Sequence, residues 1–331
     1  MQCDFHYYCI AVLAKISGFS QEDSLTIAYA SQYVDNSTEG DRIQIGTMKF
    51  DPVRTAHVGL DATLWDVQKK TIIPFHFLPP KDVRRPDDTF VTSTDSVLAG
   101  ELFNRACEEI DPVLRLCRIG VALHTIADTT SHQFFSGRED DENKVNDICI
   151  FNGTDYDHLS WQNIFYDLLP PIGHAQAAHY PDLPYQKWHY KNNDGQPITR
   201  NNPYEYLLCA NRIYKLLCTA NDGIKEAWND YEDRIENLLA TKEDDLEKRC
   251  ELWQNEFASH FQQGMYNYDS LAWRKAALQS STYSEVDWDK QERSLMASMK
   301  FDPDDDFYDS HWIHFHRAAL MQRHFVLEQI L

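Results

Sequence analysis

The residues best suited to chemistry are three metal-capable side chains that stand four positions apart in one apolar segment, His124, Asp128 and His132. On an α-helix, residues four apart lie on the same face, about 6 Å apart along the axis. The two histidines would then be about 12 Å apart, too far to share one ion at Zn–N distances of about 2 Å. Asp128 lies between them and offers two oxygens. This spacing predicts a cluster of two or three ions, with Asp128 able to bridge.

The alternative for this segment is a hydrogen-bonded polar cluster in the core, because one buried His or Asp on a helix is usually a structural residue or a cap. Three ionisable side chains in register on one apolar helix are harder to explain in this way, since buried ionisable groups need partners. We therefore favour metal binding.

Three further stretches each supply one ligand type. His6 lies in the first turn of a helix predicted over 4–17. Asp35 ends a second helix, where the negative end of the helix dipole is unfavourable for a carboxylate unless a cation lies beside it. His76 stands between prolines on both sides, which suits a fixed ligand, although a lone His of this kind is more often a hydrogen-bonded core residue.

A second dense patch of metal-capable side chains follows a turn rich in Gly and Pro, and it contains His174, His179 and Asp182. The last predicted helix carries more histidines, and a metal pair is conceivable there because His311 and His314 share a face. We interpret the histidines of that helix as surface and core residues, since no carboxylate or Cys lies near them in helical register. They are His311, His314, His316 and His324.

The composition limits the classes of function. The chain has 331 residues, enough for one large or two ordinary domains, and its net charge of −21 argues against a nucleic-acid-binding surface, which needs a basic stripe. No apolar run approaches the roughly 18 residues of a membrane span. The eight cysteines form no CxxC pair and are interpreted as reduced, mostly buried thiols. No signal peptide is recognisable, so we expect a cytoplasmic protein.

Helical periodicity dominates the chain, and we predict an all-α fold with irregular insertions. Residues 1–200 are expected to form a metal-binding core and residues 201–331 a helical extension packed on it. Residues 42–50 alternate like a short strand, and residues 138–158 are interpreted as an acidic insertion or mobile loop. The predicted helices span 4–17, 20–34, 96–110, 112–135, 159–169, 203–220, 223–240, 242–262, 269–279, 285–299 and 309–329.

Several common catalytic motifs are missing from the sequence, which has no GxGxxG, Walker P-loop, HExxH or GxSxG. Cysteine–histidine catalysis stays open because Cys3 and Cys9 lie near His6. A reactive thiolate needs an electropositive setting, however, which this acidic chain does not offer. We favour metal chemistry over it.

The order of the candidate ligands has a counterpart in a known superfamily. The matching features are an early helical His, an Asp at a helix end, a Pro-flanked His, a helical His-Asp-His segment and a later Gly-His, at His6, Asp35, His76, His124, Asp128, His132 and His174. This order resembles the zinc-dependent phospholipase C and S1/P1-nuclease superfamily. Shorter phrases at 5–8, 74–79 and 173–182 also look like a bacterial family known only as a domain of unknown function. The resemblance covers residues 4–185.

The resemblance implies an all-α hydrolase of phosphate esters built around three zinc ions. One ion would be held by Asp35, His76, His124 and Asp128, a second by Asp128 and His6, and a third by His132, His174 and one further carboxylate. A water between ions would be the nucleophile, because the metals lower its pKa and offset the phosphate charge. Asp35 is the residue to which we also assign a catalytic role.

The sequence departs from the superfamily pattern in three ways. The central Asp and the second His are separated by three residues here, whereas the superfamily usually has five. The Glu expected four residues after His174 is replaced by Ala178, so Asp182 or His179 would have to substitute for it. The known enzymes also use a processed amino terminus as a ligand, whereas this chain begins with Met and Gln and has no evident processing signal.

We therefore predict a metalloprotein with two or three zinc ions, other divalent metals being possible, that hydrolyses a small phosphate ester or a lipid headgroup. The alternative is a non-catalytic helical protein with structural zinc, or none, in which residues 203–331 bind a partner. A closed four-ligand site would indicate a structural role, and an open site with several ions would indicate catalysis.

Overall fold

The protein is described from a computed structural model. The structure describes residues 1–81, 83, 89–94, 96–158, 169–262, 264–265, 267–278, 300–301 and 306–330. The helix predicted at 285–299, and all but the last residue of the helix predicted at 159–169, lie outside these residues.

Helices make up most of the described elements. The α-helices are α1 (Ile10–Ile16), α2 (Gln21–Asn36), α3 (Trp65–Val67), α4 (Ile73–Phe75), α5 (Val97–Cys107), α6 (Pro112–Ser131), α7 (Asn202–Thr219), α8 (Glu232–Ala240), α9 (Leu246–Glu256), α10 (Ala272–Ala277) and α11 (His311–Ile330). Two π-helical turns are Asp4–Cys9 and Gln68–Ile72. Short 3-10 turns are Gly59–Thr63, Asp141–Asn143, Ala175–Ala177, Tyr180–Asp182, Trp228–Asp230, Ala258–His260 and Phe307–Asp309. Among the described residues, no helix combines the length and apolar character needed to cross a membrane.

The expected all-α fold is wrong, because the described residues also form two β-sheets. The strands are β1 (Ile43–Ile45), β2 (Met48–Phe50), β3 (Val145–Phe151), β4 (Tyr156–His158), β5 (Lys187–Asn192), β6 (Pro197–Asn201) and β7 (Lys300–Phe301). One sheet has four antiparallel strands in the order β4-β3-β5-β6. In the other, β1 pairs antiparallel with β2 and parallel with β7. The fold therefore mixes α and β structure.

The four-stranded sheet contains a strand signal that the helical prediction missed. In β5, Trp188 and Tyr190 are buried and Lys187 and Lys191 are exposed, which is the period of two expected of a half-buried strand. Strands β3 and β4 lie within residues 138–158. The interpretation of that segment as a mobile loop is therefore wrong, whereas its interpretation as an insertion stays a prediction. Its polar residues lie in the 3-10 turn Asp141–Asn143, in the turn between the two strands and at exposed strand positions.

The predicted helix bounds agree closely for α2, α7 and α11 and less well for the other helices. Helices α7 and α11 lie within two residues of the predictions at 203–220 and 309–329. The helix predicted at 223–240 is shorter, because a 3-10 turn precedes α8. The helix predicted at 112–135 ends at Ser131, because the backbone at His132 leaves helical geometry with φ −93° and ψ 9°.

Helices α2 and α6, which both carry predicted ligands, pack closely together. Helix α2 begins after Ser20, whose hydroxyl accepts a hydrogen bond from the Asp23 amide, and Asp111 caps α6 in the same way. The crossing requires Gly120, because a Cβ there would lie 2.4 Å from the Ile27 carbonyl oxygen. The missing side chain lets the two backbones meet and brings the last turn of α2 beside the middle of α6.

The buried apolar side chains form two clusters, and the candidate site lies where they meet. The larger cluster includes residues of α1, α2, α5 and α6 together with residues of α7, α8 and α11. The smaller one includes the buried side chains of β3 and β5 and those that pack on them. Phe75 and Leu78 belong to the larger cluster and Phe77 to the smaller, so His76 lies at the junction. The division of the chain at residue 200 stays a prediction.

Candidate metal centre

The structure brings together the seven side chains that we predicted as metal ligands and Asp182, one of the two candidates for the remaining position. They form three neighbouring groups, each of which could hold a metal ion. The groups are His6–His124–Asp128, Asp35–His76–His124 and His132–His174–Asp182. Helix α6 provides the centre of the cluster, and its C-cap residue continues the same face.

The best-defined set of donor atoms surrounds His124. Its Nε2 lies 3.2 Å from His76 Nδ1, 3.2 Å from Asp128 Oδ2 and 3.6 Å from Asp35 Oδ1. His76 Nδ1 lies 3.1 Å from Asp128 Oδ2 and 3.8 Å from Asp35 Oδ1. Ligand atoms at about 2.0–2.1 Å from a tetrahedral zinc are about 3.3 Å from one another. The two histidine nitrogens are therefore spaced from each other and from Asp128 as ligands of one zinc ion are, and Asp35 lies slightly farther away.

Three of the histidines are oriented by backbone carbonyl groups. His76 donates from Nε2 to the Thr55 carbonyl oxygen at 2.9 Å, and His174 donates from Nδ1 to that of Ala178 at 2.7 Å. His132 donates from Nδ1 to the His76 carbonyl oxygen at 2.8 Å. Since a neutral imidazole has one N–H, which the carbonyl binds, the other nitrogen of each ring faces a carboxylate and has its lone pair available for a metal ion. A carbonyl partner on the far ring nitrogen is typical of metal-ligating histidines.

His6 lies on the most buried side of the cluster. Its ring stacks on that of His124 with centroids 3.9 Å apart, and its Nε2 is 3.1 Å from Asp128 Oδ1. Burial, reinforced by the neighbouring His124, lowers the pKa of His6 to about 4, so the ring is neutral near pH 7. Because Oδ1 of Asp128 faces His6 and Oδ2 faces His76 and His124, this carboxylate is positioned between two donor sets.

The third group decides between the two candidate partners of His174. Asp182 Oδ2 lies 3.3 Å from His174 Nε2, and Asp182 Oδ1 lies 3.2 Å from His132 Nε2. His179 is exposed, and its ring packs beside that of Tyr180, with centroids 5.3 Å apart. Asp182 therefore belongs to the cluster, and His179 does not.

Almost the whole chain matches one family model. Residues 1–330 match a model described as a family of unknown function, DUF6765. The chain belongs to this family. No curated protein and no solved structure matches it. The family description names no activity, so the function of this DUF6765 protein has to be argued from its site.

The cluster of this DUF6765 protein also contains a donor that we did not predict, the amino group of Met1. It lies 2.7 Å from Asp128 Oδ1, 3.1 Å from Asp182 Oδ1 and 3.1 Å from Ser131 Oγ. Although burial by itself lowers the pKa of this amino group, the surrounding carboxylates raise it to about 11. A prediction from side-chain types and their spacing does not find this amino group, because it belongs to the backbone, and only the resemblance to enzymes that use an amino terminus as a ligand pointed to it.

The first residues of the chain are held by Arg249 of α9. Its guanidinium lies 2.7 Å from Asp4 Oδ2, and it also contacts the side chain of Gln2 and two backbone carbonyl oxygens. Arg249 and Asp4 are both buried, so each charge depends on the other for compensation. Because this ion pair fixes the segment that carries His6, the C-terminal helices take part in shaping the metal centre.

The charges of the cluster depend on one another. Burial alone would raise the pKa of Asp128, but the neighbouring histidines and the Met1 amino group hold it well below its usual range. Burial would likewise raise the pKa of Asp182, but the Met1 amino group and His174 hold it well below its usual range. Burial lowers the pKa of His174, but Asp182 raises it, and the net effect is an increase. Both carboxyl groups are therefore anionic, and the site favours cations.

A cavity of about 320 Å³ borders the cluster. Phe77 forms part of its wall and stacks on His132, with ring centroids 4.4 Å apart and 12° between the ring planes. His57 also lines the cavity and is exposed. We predicted neither residue, because a lone His or Phe in an irregular segment carries no periodic signal. No Lys or Arg is present among the described residues that line the cavity.

The histidines of α11 are not members of the three metal-capable groups found among the described residues. His316 is buried, and its Nδ1 accepts a hydrogen bond from the Val53 amide at 3.0 Å. His314 is buried with its Nε2 3.4 Å from Asp111 Oδ2. His324 is exposed.

Proposed function

We propose that the protein is a zinc-dependent hydrolase of phosphate esters, in which the eight clustered side chains hold two or three ions. The observation that carries the proposal is the position of Asp128 between two donor sets, with a third set beside it. In two-metal hydrolytic sites the ions lie about 3.5–4 Å apart, a separation that one shared carboxylate can span. Histidine and carboxylate donors favour zinc, although other divalent metals are compatible with them.

Zinc at such a site supplies a nucleophilic water near neutral pH and offsets the phosphate charge in the transition state. The side chains have separate tasks. The carbonyl-bound histidines keep their rings in one tautomer, and Phe77 covers one face of His132. Asp35 has a side chain that is 30% exposed and lines the cavity. It is therefore the carboxylate that we expect to contact the reacting water.

The resemblance to the zinc-dependent phospholipase C and S1/P1-nuclease superfamily supports the same proposal. Asp182 would take the role of the Glu that Ala178 replaces, because it lies beside both His132 and His174. The substrate would be a small phosphate ester or a lipid headgroup, with its negative charge met by the ions, since the described cavity wall contains no Lys or Arg.

A structural role for zinc is the second candidate. One observation favours it, because the set around His124 already contains four protein donor atoms, as structural zinc sites do. The group of His132, His174 and Asp182 has three side chains and borders the cavity. Three protein ligands beside an accessible space are typical of catalytic zinc. We therefore favour catalysis.

Metal analysis of protein purified without chelators, together with hydrolysis of a chromogenic phosphodiester, tests the proposal. We expect at least two equivalents of zinc per chain, and activity that is lost on chelation and restored by zinc. His124→Ala should lose metal, whereas the control His324→Ala, at an exposed histidine of α11, should keep it. Less than about half an equivalent of metal would overturn the assignment. Full metal content without hydrolysis of any phosphate ester would favour the structural role.

A further inference from the structure

A second chamber, of about 290 Å³, lies beside the cavity of the metal centre. The two share four wall residues, His57, Ile72, Phe77 and His174. The other described wall residues are apolar or small, apart from the hydroxyl of Thr63. No carboxylate, Lys or Arg is among the described residues of this wall. The chamber therefore offers an apolar surface that continues directly from the metal-capable cluster.

Phe77 lines both the cavity of the metal centre and the chamber, and close contacts hold its ring in position. One face of the Phe77 ring stacks on His132. Gly173 approaches the ring so closely that a Cβ there would lie 2.6 Å from Phe77 Cζ, and its φ of +51° also favours glycine. Since His132 and His174 both face Asp182, a group in the chamber would lie next to the third donor set.

The segment that contributes Leu60 to the chamber wall carries several exposed apolar side chains. Leu60 lines the chamber and is 78% exposed, and Val58, Leu64 and Trp65, which flank it along the chain, are 49%, 58% and 47% exposed. Exposed apolar side chains that gather beside a pocket often mark binding sites in soluble proteins. The ion pair of Arg54 with Asp61, at 2.8 Å, anchors this segment.

We infer that the chamber binds a single small apolar group of the substrate, either one short alkyl chain or one aromatic ring, while the phosphate lies at the metal centre. The inference rests on the proposed function and specifies its substrate class as phosphate esters of small apolar alcohols. A volume of about 290 Å³ is near the lower end of ligand pockets, which run from about 300 to 1,000 Å³. Two long acyl chains do not fit it, and a sugar would leave its hydroxyl groups without partners.

The test uses the zinc-loaded full chain and a series of chromogenic phosphodiesters that carry a methyl, butyl, hexyl or dodecyl group. We expect KM to fall about threefold for each added methylene until the chamber is full, and then to stop falling, because each buried methylene strengthens binding by a constant factor. A KM that is independent of chain length would overturn the inference. A KM that keeps falling up to dodecyl would also overturn it, because it would indicate an open lipid-binding surface.

Two variants test whether the dependence of KM on chain length arises in the chamber. Ala62→Leu fills the chamber and should remove the preference for hexyl over methyl, and Leu60→Asp, at an exposed position, should reduce it at least tenfold. The control is Ile110→Asp, a residue that is 93% exposed and is not part of the described chamber wall, and it should leave the preference unchanged. If both chamber variants fold with wild-type melting temperatures and keep the preference, the apolar group binds elsewhere.

A calorimetric titration with alkylphosphonates separates this inference from the proposed function. These compounds bind without being hydrolysed. Chain-length-dependent binding without hydrolysis of any ester would support the chamber and contradict the hydrolase. Hydrolysis with affinities for methyl- and hexylphosphonate that agree within a factor of two would support the hydrolase and overturn the chamber.

Discussion

The two sides of the metal centre are held in different ways. On the helical side, His124 and Asp128 project from successive turns of α6, and their side chains are 0% and 1% exposed. On the loop side, His174 and Asp182 come from short turns, and their side chains are 19% and 16% exposed. The position of the helical donors follows from the packing of whole helices. On the loop side, the His174 ring is oriented by one hydrogen bond to a carbonyl.

This difference predicts how the two sides respond to change. A substitution on the helical side acts on closely packed helices, so it should alter stability and metal content together. A substitution on the loop side acts on a partly exposed ligand, so it should alter metal content with less effect on the free energy of unfolding. The following predictions test this contrast, from the largest expected effect to the smallest.

Asp128→Asn should have the largest effect. Asn keeps the shape but removes the charge that lies between two donor sets and screens the repulsion of cations about 3.5–4 Å apart. We expect it to release more than one equivalent of metal and to abolish phosphodiester hydrolysis. The matched loop-side variant, Asp182→Asn, should release at most one equivalent. Metal analysis of both variants makes the comparison, and equal losses of one equivalent would show that Asp128 does not bridge.

Lowering the pH should reduce the free energy of unfolding of the helical side, because His316 is buried there in its neutral form. This residue lies on α11, which packs against α6, and burial, with Arg274 and Arg323 nearby, lowers its pKa to about 3. Below about pH 6.5 this histidine is protonated in the unfolded chain, whereas in the folded chain it stays neutral down to about pH 3. The stability that His316 contributes is therefore complete above pH 6.5 and is lost as the pH falls. We expect a loss of roughly 3 kcal/mol between pH 7 and pH 4.

Urea unfolding of metal-free protein at pH 7 and pH 4 measures this loss. His316→Gln keeps an acceptor for the Val53 amide but removes the titrating group, so its stability should depend less on pH. His324→Gln, a change of an exposed histidine on the same helix, is the control and should behave like wild type. Identical pH profiles for all three proteins would contradict the assignment to His316.

Gly120→Ala should destabilise the helical side by about 2–3 kcal/mol, because the new Cβ would lie 2.4 Å from the Ile27 carbonyl oxygen and force α2 away from α6. The shift would also move Asp35 away from His124, so metal affinity should fall with stability. Gly100→Ala in α5 is the matched control. A Cβ there meets no described atom within 4 Å, so helix propensity should raise stability by up to about 1 kcal/mol. Equal effects of the two changes would show that the helix crossing is not as close as described.

The same contrast explains how much of the site could be predicted from the sequence. His124, Asp128 and His132 were found because helical periodicity alone puts residues four apart on one face. The choice between His179 and Asp182 stayed open, because it depends on two consecutive 3-10 turns that leave no periodic pattern. The four-stranded sheet was missed because its strands are short and β3, although mostly apolar, follows an acidic stretch, and only the alternation in β5 indicated it.

The smallest effect is expected on the loop side, at Ala178. Its φ of 51° and ψ of −133° lie in a region that residues with a Cβ rarely adopt, and its carbonyl accepts the hydrogen bond from His174 Nδ1. Ala178→Gly should relieve this strain and raise the free energy of unfolding by about 1 kcal/mol. Because the carbonyl stays in position, metal content should not change.

The opposite change at this position sharpens the prediction. Ala178→Val adds a β-branched side chain at positive φ, so the backbone should relax, the carbonyl should turn away, and His174 should lose its orientation. We then expect the loss of up to one equivalent of metal, with the donor set around His124 retained. Thermal unfolding and metal analysis of both variants measure these effects. If Ala178→Gly is less stable than wild type, the backbone at Ala178 is not strained. If Ala178→Val keeps all of its metal, the Ala178 carbonyl does not orient His174, and the contrast between the two sides fails at this position.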